Sequence, residues 1–89
     1  MERYLDLFIN YLIVEKGLSK NTIDAYSRDL LGFINHLSEI KISDVGAVAP
    51  LDIVKYIGKL RDSGISPRSS ARKLTTIRMF YRFLNVEGY

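Results

Sequence analysis

The sequence predicts an all-α fold, a compact bundle of four short helices joined by short connections. Apolar residues recur at three- and four-residue spacing along most of the chain, with no sustained alternation of the kind that marks a strand. Glycine closes three of the four predicted helices, at Gly17, Gly64 and Gly88. Capping hydroxyls and prolines open the later ones, at Ser19, Pro50 and the pair Ser66-Pro67. At 89 residues the chain holds a single domain spanning residues 1–89, with no internal repeat or low-complexity tract.

The first helix is predicted from about Glu2 to Lys16, where Gly17 stops it. Its main apolar stripe is Tyr4, Leu5, Phe8, Tyr11 and Leu12. A second stripe, Leu7, Tyr11 and Val14, lies beside it, either as spillover at the core's edge or as a contact for another protein surface. The second helix starts behind the Ser19 cap and ends near Glu39. Its stripe, Ile23, Tyr26, Leu30, Phe33, Ile34 and Leu37, is the cleanest helical period in the chain.

Ile40 to Ala49 reads as a loop, with Ser43, Asp44 and Gly46 as turn formers. Pro50 opens a third helix that carries Leu51, Val54, Ile57 and Leu60 and ends at Gly64. The fourth runs from Pro67 to Asn85 or Val86, with Ser70, Leu74, Ile77, Tyr81 and Leu84 as its core seam. Met79, Phe80 and Phe83 widen its apolar arc. That widening favours a central helix contacted by the other three over an exposed docking site.

Composition excludes several functions. With no cysteine there is neither a disulfide scaffold nor a thiolate metal site, and a lone His36 leaves no histidine pair for a metal or a relay. His36 is expected on the exposed back of the second helix. The longest apolar run is Tyr11 to Val14, so no membrane partner is expected, and the first residues lack the pattern of a signal peptide. Apolar residues at 47% and charged residues at 26% fit a globular domain of a reducing, cytoplasmic compartment. There is no Gly-rich phosphate loop, the acidic residues fall on helix surfaces, and no tyrosine has an evident base beside it. This chain is therefore not expected to be an enzyme by itself, nor to need a cofactor or metal.

The net charge of +3 is unevenly placed. Residues 1–65 carry eight Lys and Arg against nine Asp and Glu, whereas Arg68, Arg72, Lys73, Arg78 and Arg82 face only Glu87 in residues 66–89. One-sign clustering on one element is the footprint of a polyanion-binding face, although a solvated helix flank has the same composition. At ~100° per residue, Arg68, Ser69, Arg72, Thr75 and Thr76 fall on the far side of the fourth helix from its predicted seam. Arg offers a planar fork for phosphate or a guanine edge, Ser and Thr hydroxyls adapt to either, and the helix start adds free amides. The second helix has a similar front in Lys20, Asn21, Thr22 and Arg28. Its charges are equally accounted for by Lys20–Asp24 and Asp24–Arg28 pairs at (i, i+4), so charge alone leaves both readings open.

Three stretches together resemble a known family. They are Phe8-Ile9-Asn10-Tyr11-Leu12 leading into Glu15-Lys16-Gly17-Leu18-Ser19, and Asn21-Thr22-Ile23-Asp24-Ala25-Tyr26 with Asp29-Leu30 and Phe33. The third is Gly64-Ile65-Ser66 with Ser69, Arg72, Lys73-Leu74, Ile77-Arg78, Phe80-Tyr81 and Phe83-Leu84. In order and spacing they resemble the N-terminal core-binding, SAM-like domain of Xer-type tyrosine recombinases and phage integrases.

The resemblance implies half of a clamp around double-stranded DNA, with helices laid against the major groove of a recombination site. It implies strand cleavage by a separate C-terminal catalytic domain, whose Arg, Lys, His-x-x-Arg, His or Trp and Tyr have no counterpart in this chain. An 89-residue chain then looks like an excised domain that stops at an interdomain linker. The family's DNA-facing positions correspond to Ser19 to Thr22 with Tyr26 and Arg28, and to Ser66 to Lys73 with Thr76. Lys20, Arg28, Arg68, Arg72 and Lys73 would meet phosphates, while Asn21, Thr22, Ser69 and Thr76 would add groove contacts. Leu7, Tyr11 and Val14 would meet a neighbouring protomer. Two other readings of the residues stand beside this one. One is a helical protein-interaction module using Leu7, Tyr11 and Val14 or Met79 and Phe83; the other is a helix-turn-helix regulator turning at Gly64, against which the long helices and missing dimerisation segment count.

Overall fold

The computed structural model describes residues 2–89, which fold into four α-helices. They are α1 (Glu2–Val14), α2 (Lys20–Glu39), α3 (Pro50–Asp62) and α4 (Pro67–Glu87), with one 3-10 turn at Val45–Ala47. Ser19 Oγ accepts the Thr22 amide at 3.3 Å and Ser66 Oγ accepts the Ser69 amide at 3.1 Å, each satisfying a helix-start donor. Ala49 has no side-chain oxygen to offer α3. There the Asp52 carboxylate reaches back to the Ala49 amide at 2.8 Å, and Pro50 removes one donor from the first turn. Gly17 and Gly64 turn the chain at φ 59° and 99°, a region where a Cβ is strained.

α4 is the central element, as its widened apolar arc requires. The Phe8 ring of α1 sits 5.5 Å from both Phe80 and Phe83. The Phe33 ring of α2 lies 6.5 Å edge-on to Tyr81 and 5.4 Å from Tyr56 of α3. Phe8, Phe33 and Phe80, with Leu12, Leu30, Leu37 and Ile77, form the fully buried centre. The Tyr81 hydroxyl donates to the Val45 carbonyl at 3.1 Å and holds the loop before α3 against the core. Burial, with Asp44 and Asp52 nearby, pushes that phenol up to about 12, so it remains a neutral donor at ordinary pH.

The aromatic pairs also fix helix direction. Tyr4 meets Tyr89 while Tyr11 meets Phe83, so α1 runs against α4. Asp29 meets Arg72 while Phe33, one turn later, meets Tyr81, so α2 and α4 run in the same sense. The N-terminal ends of α2 and α4 therefore share one end of the molecule.

Several expectations are corrected. α1 stops at Val14 rather than Lys16, and α4 continues to Glu87, where Gly88 at φ 77° closes it. In α3, Leu51 and Val54 are 59% and 64% exposed, and the inward stripe is Ile53, Tyr56, Ile57 and Leu60. Tyr56 decides this rotation: it packs on Phe33 and its hydroxyl crosses α2 at Gly32, where a Cβ would lie only 3.2 Å away. His36 is not on an exposed back either. Its ring lies 4.8 Å from Tyr56, and its buried Nδ1 has no hydrogen-bond partner. The second stripe of α1 divides: Leu7 and Tyr11 are half-buried against the core, while Val14 is 67% exposed.

Two substitutions check the rotation of α3 and the central place of α4 in urea unfolding. Phe80→Ala is expected to cost about 3–5 kcal/mol, because a fully buried ring leaves a cavity. Val54→Ser is expected to change stability by no more than about 0.5 kcal/mol, as befits a solvated position.

Candidate nucleic-acid interface

Among the described residues Asp29 is the one acidic side chain that the fold takes out of water, at 1% exposure. Burying a carboxylate is costly unless its oxygens are filled by donors. Here α4 fills them. Arg72 donates through Nε to Oδ2 at 2.8 Å and through Nη2 to Oδ1 at 2.9 Å, a two-point fork. Lys73 Nζ donates to Oδ1 at 2.8 Å, and Thr76 Oγ1 makes a longer contact to Oδ2 at 3.4 Å. Desolvation pushes the Asp29 carboxyl up, but the hydrogen bonds and charges of Arg72 and Lys73 outweigh it and hold the group below the ordinary 3.8.

The expected site residues therefore separate into three groups. Lys20, Asn21, Arg28 and Arg68 are exposed, and among the described residues none of these three cations is in an ion pair. The Lys20–Asp24 and Asp24–Arg28 pairs offered by the spacing do not close among the described residues. Thr22 and Ser69 are half-buried and serve the helix caps: Thr22 Oγ1 accepts from Ser19 Oγ at 3.0 Å, and the Ser69 amide binds Ser66. Arg72 and Lys73 belong to the Asp29 cluster, with side chains 45% and 19% exposed.

Thr76 is a correction. It was expected on the solvent side, yet it is fully buried, with its hydroxyl on the Arg72 carbonyl and toward Asp29. The reason is rotational. Ser70, Thr76, Ile77, Phe80, Phe83 and Leu84 are the buried residues of α4, so at ~100° per residue their arc is centred about 70° from the seam drawn through Leu74 and Tyr81. Phe80 and Phe83 pull the helix round, leaving Leu74 and Tyr81 on its flank.

Asp29 departs from the helix-surface position expected of the acidic residues. A signal was present, since it stands three residues after Tyr26 and four before Phe33, at the edge of the apolar stripe of α2. Elsewhere, among the described residues, no group of three or more His, Cys, Asp or Glu is placed to hold a metal ion. No described helix is long and apolar enough to cross a membrane.

These features define a small all-helical domain that exposes Lys20, Arg28 and Arg68 on the first halves of two parallel-running helices. The model of the phage integrase N-terminal SAM-like domain matches residues 5–88, and the chain belongs to that family. It is 40% identical over 89 residues to the tyrosine recombinase XerD of Listeria innocua, covering 99% of this chain and 30% of that protein. It is 38% identical to the tyrosine recombinase XerC of Oceanobacillus iheyensis, covering 100% of this chain and 29% of that protein. A similar match, 38% identical, is to XerD of Staphylococcus haemolyticus. The chain thus spans about 30% of the length of the curated relatives it matches. No solved structure matches it.

The cluster has a pH signature. The folded chain holds Asp29 ionised below its ordinary value, so its stabilisation is complete above pH ~5 and is lost as pH falls through the folded value, below 3.8. Asp29→Asn is expected to cost about 1.5–3 kcal/mol at neutral pH and to flatten the acid side of the stability profile, measured by urea unfolding from neutral pH downward.

Proposed function

We propose that this chain is the DNA-binding N-terminal clamp domain of a cytoplasmic tyrosine recombinase. In this reading the starts of α2 and α4 lie against the major groove of a recombination site. Lys20, Arg28 and Arg68 meet phosphates, Arg72 and Lys73 add to the same face from the Asp29 cluster, and Asn21, Thr22 and Ser69 lie beside the groove. Cleavage and strand exchange belong to the catalytic domain of the parent protein. Neighbouring protomers meet α1 around Val14, beside the half-buried Leu7 and Tyr11.

The observation that carries this reading is the cation cluster itself. Asp29 ties the first half of α4 to α2, so Arg68, four residues before Arg72, comes to the end that α2 and α4 share, about 6 Å along the axis from the ion pair. Lys20 stands at the start of α2, about 13 Å along the axis from Asp29. No acidic residue lies between Ser66 and Arg82 in the sequence, and the positive end of each helix dipole favours an anion. The relatives described above are tyrosine recombinases, whose name supports a DNA substrate.

Titration of the chain with a duplex of a recombination-type site, followed by amide NMR shifts, tests this reading. Shifts are expected at residues 19–22, at Arg28 and at residues 66–73. Lys20→Ala and Arg68→Ala should each weaken binding about three- to tenfold with unchanged unfolding, because each removes one phosphate contact. Shifts confined to Leu7, Tyr11 and Val14, or to Met79 and Phe83, would replace it with a protein-interaction module.

A further inference from the structure

The Asp29 cluster leaves Arg72 in an unusual state for a residue that meets phosphates. Asp29 takes its Nε–H and one Nη2–H, the side of the fork facing α2. A guanidinium carries five N–H donors, so three remain, and two of these point outward together from the far end of the plane. That end belongs to a side chain that is still 45% exposed. The plane is held at one edge by two bonds of 2.8 and 2.9 Å to a carboxylate that is itself buried, so the outward pair has little freedom to turn. Such a pair matches two acceptors lying side by side in one plane.

In DNA such acceptor pairs are offered by the major-groove edge of guanine, through O6 and N7, and less rigidly by phosphate oxygens. Charge favours the base. Asp29 neutralises one of the two cations it binds, so Arg72 and Lys73 together present a net of one positive charge rather than two. A cation paired with a carboxylate loses much of its pull on phosphate but keeps its directional donors. We infer that Asp29 is a positioning residue that presents the outward N–H pair of Arg72 to a guanine edge, making Arg72 the position of α4 that discriminates sequence. The inference rests on the DNA-binding reading and adds to it a single base preference. Lys20, Arg28 and Arg68 then supply affinity without sequence preference.

The test is selection from a pool of duplexes with a randomised 20-base-pair segment, on the wild-type chain, Arg72→Lys and Asp29→Asn (segment length set to about two helical turns). The wild-type chain is expected to enrich guanine at one fixed position. Replacing that guanine by 7-deazaguanine, which lacks the N7 acceptor, should weaken its binding about tenfold. Arg72→Lys keeps the charge and loses the fork, so it should bind the unselected pool within about threefold of wild type, enrich no guanine there and ignore the 7-deaza change. Asp29→Asn should lose the same preference while binding the unselected pool at least as well, since one negative charge has gone. A guanine preference retained in Arg72→Lys, or in a folded Asp29→Asn, overturns the inference. So does a wild-type chain that binds the pool without enriching guanine, which leaves DNA binding standing. A wild-type chain that does not bind the pool at all overturns both readings.

Discussion

The fold and its candidate interface meet at one buried carboxylate. Asp29 costs solvation energy wherever it is placed in the interior, and α4 offsets that cost with Arg72, Lys73 and Thr76. Phe80 and Phe83 turn α4 toward the core along an arc that is wide, from Phe83 round to Leu74. The fork on Asp29 agrees with that rotation and ties it to one axial register. It places Arg68 outward, Thr76 inward and Arg72 at the boundary. An ion pair of this kind adds less stability than its short distances imply, and its contribution here is to specify geometry.

The same cluster limits the interface. Five basic residues in the last stretch of the chain look like one cationic face, yet two of them are committed to Asp29 and two, Arg78 and Arg82, lie further along α4. The exposed and uncommitted positive charge on the first halves of α2 and α4 is Lys20, Arg28 and Arg68. With so few uncommitted cations on these two helix halves, the proposed DNA contact would be weak and salt-sensitive.

Much of the fold was legible because it rests on local chemistry. Ser19 and Ser66 cap the helices they were expected to cap, and the widened arc at Phe80 and Phe83 placed α4 at the centre. What escaped the sequence were rotations settled by tertiary contacts. Leu51 and Val54 make as good a stripe as Ile53 and Tyr56 until Tyr56 finds Phe33 and the space over Gly32. Thr76 looked like a surface hydroxyl because a threonine beside an arginine gives no hint of a buried carboxylate across the helix pair. Asp29 was hidden for the same reason: its partners lie 43 to 47 residues away, beyond any local spacing rule. At the candidate interface Lys20, Asn21, Arg28 and Arg68 are exposed as the wheel placed them, whereas the roles of Arg72, Lys73 and Thr76 follow from Asp29.

The most direct test of this account is the salt dependence of duplex binding, measured by fluorescence anisotropy between about 50 and 200 mM salt for the wild-type chain and Asp29→Asn. With Lys20, Arg28, Arg68 and one surplus charge from the cluster each meeting a phosphate, log K should fall with log salt at a slope of about −3.6. Releasing Arg72 and Lys73 from Asp29 should steepen the slope by about 0.9. A flat slope in the wild-type chain, or one unchanged when Asp29 is neutralised, would contradict the account.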